Sequence, residues 1–176
     1  MSHKTQIIDK HGYRHNVGII LCNNKDQLLW ARRIGENAWQ FPQGGIRADE
    51  SLEMALFREL NEEIGLSSND VEVIGSTNNW LHYKLPKQFV DHDRKPVCIG
   101  QKQIWFMLRL TADEKKLCLT KSSKPEFDGW CWINYWEPIN QVVSFKQGVY
   151  KLALKELEPA LYLDNTQSHC IAAVND

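Results

Sequence analysis

The sequence predicts an α/β fold in which a mixed β-sheet carries helices on its two faces. Three observations predict it. Several short stretches alternate or run apolar in the manner of strands, the longest from Gln101 to Leu110. Two stretches, Glu50 to Ile64 and Lys146 to Leu157, carry the helical period instead. The two kinds interleave without regular βαβ alternation, so the sheet should not be wholly parallel.

Taken in order, Val17, Ile19 and Leu21 alternate with Gly18 and Ile20, the pattern of a largely buried strand. Asn23-Asn24-Lys25-Asp26 is a turn cluster, and Gln27 to Arg33 reads as the returning strand of a hairpin. Gln40 to Gly45 is a short strand breaking into a glycine loop. The helix from Glu50 to Ile64 has Asp49 placed as its N-cap and Gly65 as its C′ residue. Val71 to Ser76 and Trp80 to Leu85 read as strands. Pro86 to Pro96 is charged, holds two prolines and reads as an exposed excursion. After the Gln101 to Leu110 strand come a polar turn at Asp113 to Lys116 and a short strand at Trp130 to Ile133. The second helix takes its periodicity from Val149, Leu152, Ala153 and Leu157. Beyond Pro159 the pattern weakens, so residues 1–160 are read as one domain and 161–176 as a flexible tail, frayed from Asp164 onward.

The 176-residue length suits a single domain with a real core. A formal net charge of -1 argues against a protein that coats nucleic acid by bulk electrostatics, though not against a local basic groove. Five cysteines, an odd number with no CxxC pair, argue against a disulfide framework or zinc knuckle. Reduced, mostly buried thiols fit a cytoplasmic protein. Met1 to Lys10 has no apolar signal-peptide core, and no stretch has the roughly 20 apolar residues of a membrane helix. Seven tryptophans are many for this length. Trp30, Trp39, Trp105, Trp130, Trp132 and Trp136 are read as core before ligand platforms.

The helix from Glu50 to Ile64 carries the chemistry. At 100° per residue, Leu52, Ala55, Leu56 and Leu60 share one broad core-facing arc. Glu59, Glu62 and Glu63 fall within or beside that arc, spaced so that their carboxylates converge. Like charges there repel, burial worsens the repulsion, and the C-terminal end of a helix disfavours anions. A hard divalent cation, Mg²⁺ or Mn²⁺, removes the conflict. A bare Glu-x-x-Glu-Glu is more often a solvated helix end, so the surrounding residues must decide.

Those residues are Gly44, then Glu50 six positions on, then Arg58-Glu59-Leu60-Asn61-Glu62-Glu63-Ile64-Gly65-Leu66. The stretch from about 44 to 66 resembles the Nudix box in every defining position. Seven fixed identities at set spacing arise by chance in roughly one window in a billion. The resemblance to Nudix hydrolases implies an α/β/α sandwich with a catalytic loop–helix–loop. It implies Glu59, Glu62 and Glu63 as metal ligands and Arg58 as the group that orients them. Glu50 would brace the helix start, and Gly44 would let backbone approach metal and phosphate. For Gly44, Gly45 and Gly65, turn geometry alone is a compatible reading. Metal charge would neutralise a phosphoanhydride and acidify the attacking water, with Glu59 the first choice of base and Glu63 the second.

Outside the box the resemblance reaches about Leu157. It runs through Trp39-Gln40-Phe41-Pro42-Gln43-Gly44-Gly45, Gly100-Gln101-Lys102-Gln103, Pro125-Glu126-Phe127-Asp128-Gly129-Trp130 and Val142-Val143-Ser144-Phe145-Lys146. It points to the bacterial Nudix enzymes that remove pyrophosphate from 5′-triphosphorylated RNA, or phosphate from diphosphorylated RNA, leave a 5′-monophosphate and promote mRNA decay. It implies Glu126 as a fourth acidic group at the metal site. It also implies Arg33, Val143, Phe145 and Lys146 as a base pocket near the RNA end. For Val143 and Phe145, helix-start packing weighs equally. Arg14, Arg32, Arg33, Lys84, Lys87, Arg94, Lys95, Lys102 and Lys146 are candidate phosphate contacts. Gln101 and Gln103 share a strand face and could bond phosphate or ribose. His15 stands where the resemblance expects proline; a surface or packed role is favoured over a ligand contact. The alternative substrate is a dinucleoside polyphosphate. A non-catalytic binding module would carry a degraded box, which this chain does not. A monomer without membrane or DNA partners is expected, and no protein partner is legible.

Overall fold

The computed structural model describes residues 5–174, with side chains described through residue 166. Eight strands form one mixed sheet. They are β1 (Tyr13–Cys22), β2 (Leu28–Arg33), β3 (Trp39–Gln40), β4 (Gln43–Gly45), β5 (Val71–Ser76), β6 (Leu81–Lys84), β7 (Gly100–Leu110) and β8 (Phe127–Ile133). The helices are α1 (Leu52–Ile64), the short α2 (Pro138–Gln141) and α3 (Ser144–Val174). The main strand order is β3-β2-β1-β7-β5, with β4 on β1, β6 on β7 and β8 on β2. β1 and β7 run parallel over ten paired residues, from Tyr13 opposite Gly100 to Cys22 opposite Arg109. The other pairings among the described strands are antiparallel.

The pleat of β1 sorts its side chains between two cores. Ile20 and Cys22 join Leu28, Trp30, Trp105 and Met107 beneath Val149, Tyr150, Ala153, Leu154, Leu157 and Leu161 of α3. Ile19 and Leu21 join Leu29 and Leu108 beneath Leu56, Leu60 and Ile64 of α1. Both faces of the central strands are thus covered by helix, which explains why they read as nearly continuous apolar runs. The α/β/α sandwich is as expected.

Several boundaries differ from the sequence reading. Ser51, not Asp49, caps α1, and its side chain accepts the Met54 N–H at 3.1 Å. Gly65 does close the helix in the left-handed region, at φ 78°. Leu52 is exposed rather than core-facing, because it sits in the first turn, outside the buried stretch that starts at Ala55. Pro86 to Pro96 is largely exposed, as expected, and includes a 3₁₀ turn at Lys87–Phe89.

The largest correction concerns the C-terminus. α3 does not stop near Leu157 but continues through Pro159 to Val174. Asp164, placed in a frayed tail from the sequence, accepts from Arg109 Nε at 2.8 Å, and Asn165 donates to Asp26 at 3.1 Å. These contacts reach across to the β1–β2 turn and to β7, so they compensate for the loss of apolar periodicity. Asn175 and Asp176 lie outside the described residues. Among the described cysteines, Cys22, Cys98, Cys118 and Cys131 are free, but only Cys22 is fully buried and Cys118 is exposed.

Candidate active site

β4 and the second half of α1 build the site. Antiparallel pairing of β4 with β1 sets Gly44 opposite Val17 and Gly45 opposite Asn16. That register presses the glycine backbone against α1. A Cβ on Gly44 would stand 1.8 Å from Glu59 Cδ, so the approach admits no side chain. The Gln43 N–H donates to Glu63 Oε2 at 2.8 Å. Two residues upstream, the Phe41 N–H donates to the hydroxyl of fully buried Tyr150 on α3 at 3.1 Å. The glycine loop is therefore tied to both helices. Tyr150→Phe should strand the buried Phe41 N–H and lower the unfolding free energy by about 1–3 kcal/mol in urea titration. An unchanged midpoint would mean that this bond does not hold the loop.

Arg58 organises the carboxylates. Its Nε and one terminal nitrogen engage both oxygens of Glu50, and that same nitrogen donates to the Gly45 carbonyl at 2.8 Å. The other terminal nitrogen reaches Glu59 Oε1 and, at 3.2 Å, Glu62 Oε2. Glu50 also accepts the Arg47 N–H at 3.0 Å. Glu50 therefore braces the arginine that holds the glutamates as well as the helix entry, and the Arg58 contact keeps its carboxyl below the usual range.

Glu59 and Glu63 are buried at 8% and 3% exposure, whereas the Glu62 side chain is 42% exposed. The expectation that all three acids turn inward therefore holds for two of them. Burial pushes Glu59 up to about 7 against the pull of Arg58, with Glu62 and Glu126 adding repulsion. Glu63 is raised well above its ordinary value by burial, then by Glu126 and Glu59. Glu63 Oε1 is buried without a hydrogen-bond partner. Such an arrangement is costly for a carboxylate unless a cation is present. Hard oxygen donors, an unpartnered carboxylate oxygen and backbone pressed close at Gly44 together fit a divalent cation. Among the described residues, no three His, Cys, Asp or Glu side chains already stand as a ligating cluster. Glu59 and Glu62 instead direct oxygens to Arg58, so holding an ion requires those side chains to redirect oxygens toward it.

These groups open onto a cavity of about 670 Å³, within the usual range for small-molecule sites. Its lining includes the carboxylates Glu59, Glu62 and Glu126 and the cations Arg14, Arg33, Arg47 and Lys146, with Arg47 paired to Glu62 and Arg33 to Glu36. Leu85, Phe89, Val143 and Phe145 supply an apolar wall. Glu126 immediately precedes β8 and lies near enough to Glu63 to raise its carboxyl by charge repulsion. Lys146, 5% exposed, donates to Gln40 Oε1 at 2.8 Å and lies 5.8 Å from the Tyr83 ring centroid. Burial, then the neighbouring Arg33, pulls its amine down to about 8.

The structure thus gathers Arg14, Arg33, Gln101, Val143, Phe145, Lys146 and Glu126 around one cavity with Glu59 and Glu62, while Glu63 lies outside its lining. It separates others. Gln103 is fully buried and locked to Asn16 and Gln43 at 2.9 and 3.0 Å, which makes it scaffold rather than ligand. Arg32 pairs with Asp128, Lys102 pairs with Asp9, and neither lines the cavity. Lys84, Lys87, Arg94 and Lys95 also stand outside its lining. His15 packs on Trp80 at 4.9 Å, away from the cavity. Trp39 lines the cavity and Trp136 is 41% exposed, so those two depart from the core reading. Gln6, Arg47, Tyr83 and Phe89 also line it and were not singled out from sequence. Gln6 arrives through an isolated bridge to Arg47 and accepts from Arg14 at 3.2 Å. No local pattern signals such a contact.

The fold, the glycine-to-glutamate spacing and the Arg58 network define a Nudix-type hydrolase. The NUDIX domain model matches residues 12–153, and the chain belongs to that family. It is 58% identical over 156 residues to the RNA pyrophosphohydrolase of Hahella chejuensis, covering 89% of this chain and 97% of that one. It is 57% identical over 155 residues to the RNA pyrophosphohydrolase of Proteus mirabilis, covering 88% of each. Among solved structures, the E. coli dihydroneopterin triphosphate pyrophosphohydrolase shares the fold at TM-score 0.63 and 15% identity, covering 78% of this chain and 92% of that one. A C. elegans Ap4A hydrolase does so at TM-score 0.60 and 15% identity, covering 84% and 97%.

Proposed function

We propose that the protein is a divalent-metal-dependent RNA pyrophosphohydrolase that removes pyrophosphate from the 5′-triphosphate end of RNA, leaves a 5′-monophosphate and so promotes mRNA decay. The observation that carries the reading is the polarity of one cavity. Glu59, Glu62 and Glu126 line it, buried Glu63 with its unpartnered carboxylate oxygen lies behind them within reach of Glu59 and Glu126, and cations and aromatic rings complete the lining. The relatives named RNA pyrophosphohydrolase, at 54–59% identity, support RNA as the substrate.

Glu59, Glu62, Glu63 and Glu126 would hold the cation, Mg²⁺ or Mn²⁺. When bound, it would supply the positive charge that neutralises the phosphoanhydride oxygens and acidifies the attacking water. Arg58 keeps Glu59 and Glu62 aimed, and Glu50 keeps Arg58 in place. Glu59 takes the proton from the attacking water, with Glu63 the alternative base. Arg14, Arg33 and Lys146 receive the phosphate chain, Gln101 offers a polar contact with its unpartnered Oε1, and Val143 and Phe145 receive a base. The reading places the enzyme in the cytoplasm as a monomer. No helix among the described residues is long and apolar enough to cross a membrane.

The deciding experiment sets 5′-triphosphate RNA, 5′-diphosphate RNA, dinucleoside polyphosphates and free nucleoside triphosphates side by side with Mg²⁺ or Mn²⁺. RNA untouched while a dinucleoside polyphosphate is cleaved efficiently would sink the reading.

Metal linkage has a separate readout. In metal-free protein, folded Glu59 and Glu63 keep protons that the unfolded chain has released, because both groups are raised above 4.5. The unfolded state then binds fewer protons, so stability falls as pH rises from about 4.5 through the folded Glu59 value of about 7. Added Mg²⁺ should therefore raise the melting temperature more at pH 8 than at pH 5. Equal shifts at both pH values would mean that the ion binds elsewhere.

A further inference from the structure

Phe89 closes the 3₁₀ turn Lys87–Phe89 that follows Pro86. Its ring is 61% exposed, an unfavourable place for a large aromatic side chain. The ring does not simply project from an open loop. It lines the active-site cavity, and its centroid lies 6.2 Å from that of Phe145 at an interplanar angle of 47°. Phe145 is in turn 5.7 Å from Tyr83, the ring beside the Lys146 amine. Aromatic surface therefore runs from the buried cation to the cavity rim. The turn is fixed by Phe89 N–H donating to the Pro86 carbonyl at 2.9 Å and Val90 N–H donating to that of Lys87 at 3.2 Å.

Three kinds of group line the cavity: carboxylates, among them Glu59, Glu62 and Glu126; cations, among them Arg14, Arg33 and Lys146; and apolar surface from Leu85, Phe89, Val143 and Phe145. A ligand that matches all three combines an anionic chain with a flat group of apolar faces, which describes a nucleotide. We infer that Phe89 is a specificity-determining residue whose exposed ring, beside Phe145, forms a stacking wall for a nucleobase of the substrate. This rests on the proposed nucleotide-ended substrate and adds a contact outside the Val143 to Lys146 segment. Stacking of this kind accepts any base, since every base has a π-face. The wall therefore adds affinity for a base-bearing chain without reading its sequence.

The test compares wild type, Phe89→Ala and Phe89→Trp on 5′-triphosphate oligoribonucleotides with Mg²⁺. One RNA carries all its bases; three others carry a single abasic ribose at the first, second or third position. Phe89→Ala should raise KM on intact RNA roughly fivefold or more, the lower end for one lost stacked base, with kcat nearly unchanged. Phe89→Trp should restore KM. The Phe89→Ala penalty should vanish for the one RNA whose missing base is the one that stacks. A KM unaffected by Phe89→Ala overturns the inference, as does a penalty that persists with all three abasic RNAs. If wild type leaves RNA intact, the RNA reading fails by itself, and the same variants are assayed on a dinucleoside tetraphosphate. There, a raised KM that tryptophan restores supports the stacking wall, and an unchanged KM overturns it.

Discussion

Glu59→Gln should lower kcat for pyrophosphate release by about 10²–10⁴-fold while leaving the fold intact. The amide keeps the shape that fills the space beneath Gly44 and can still meet Arg58. It removes one of the mutually repelling buried acids, Glu63 being raised partly by Glu59. Metal-free stability at pH 8 should consequently hold or rise, a direction opposite to that of ordinary buried-site damage. Activity and thermal melting measured on the same preparation check both halves. Retained turnover would count against the proposed metal site as a whole. Glu63→Gln in parallel ranks the two candidate bases, and the larger fall in kcat identifies the base.

Arg58→Met carries the largest expected effect on stability. The Glu50 side chain is 5% exposed and both its oxygens are engaged by Arg58. Methionine fills part of the volume but leaves that carboxylate buried without its main counter-charge. Removing one partner of a buried ion pair typically costs about 3–5 kcal/mol. Chemical denaturation should show a loss of that size, and kcat should fall with it because Glu59 and Glu62 lose their aiming group. Arg58→Lys should recover only part of the loss, since a single ammonium cannot span Glu50, Glu59, Glu62 and the Gly45 carbonyl as the guanidinium fork does. If Glu50→Gln/Arg58→Met is as unstable as Arg58→Met alone, the stranded carboxylate is not the source of the loss.

These predictions separate what was legible in the chain from what was not. Gly44, Glu50, Arg58, Glu59, Glu62 and Glu63 lie within about one loop and one helix, where 3.6 residues per turn dictates which side chains meet. The convergence of the three glutamates could therefore be read from spacing, and the parts of Gly44, Glu50 and Arg58 from the resemblance to the Nudix box. The strands were legible for a similar reason, because a two-residue period and sheets covered on both faces leave plain apolar runs. Capping was less so: Asp49 and Ser51 are both good caps, and the backbone dihedrals chose Ser51. The extension of α3 was hidden because its later turns are held by Arg109 and Asp26, polar partners from distant strands and turns.

The class of bond broken was therefore legible in the sequence through the resemblance of residues 44–66 to the Nudix box, since the candidate carboxylates and their arginine belong to one continuous segment. The rest of the cavity depends on approaches between residues far apart in the chain. The parallel β1–β7 register brings Gln101 alongside Arg14. The start of α3 carries Lys146 to Gln40 and Tyr83. The residue preceding β8 delivers Glu126 to Glu63. The distinction between inward Glu59 and Glu63 and half-exposed Glu62 is also a matter of packing, because a helix's period gives neighbours but not the depth to which the sheet buries them. For the same reason an exposed phenylalanine in a charged excursion carries no signal until folding sets Phe89 beside Phe145 at the rim of the cavity.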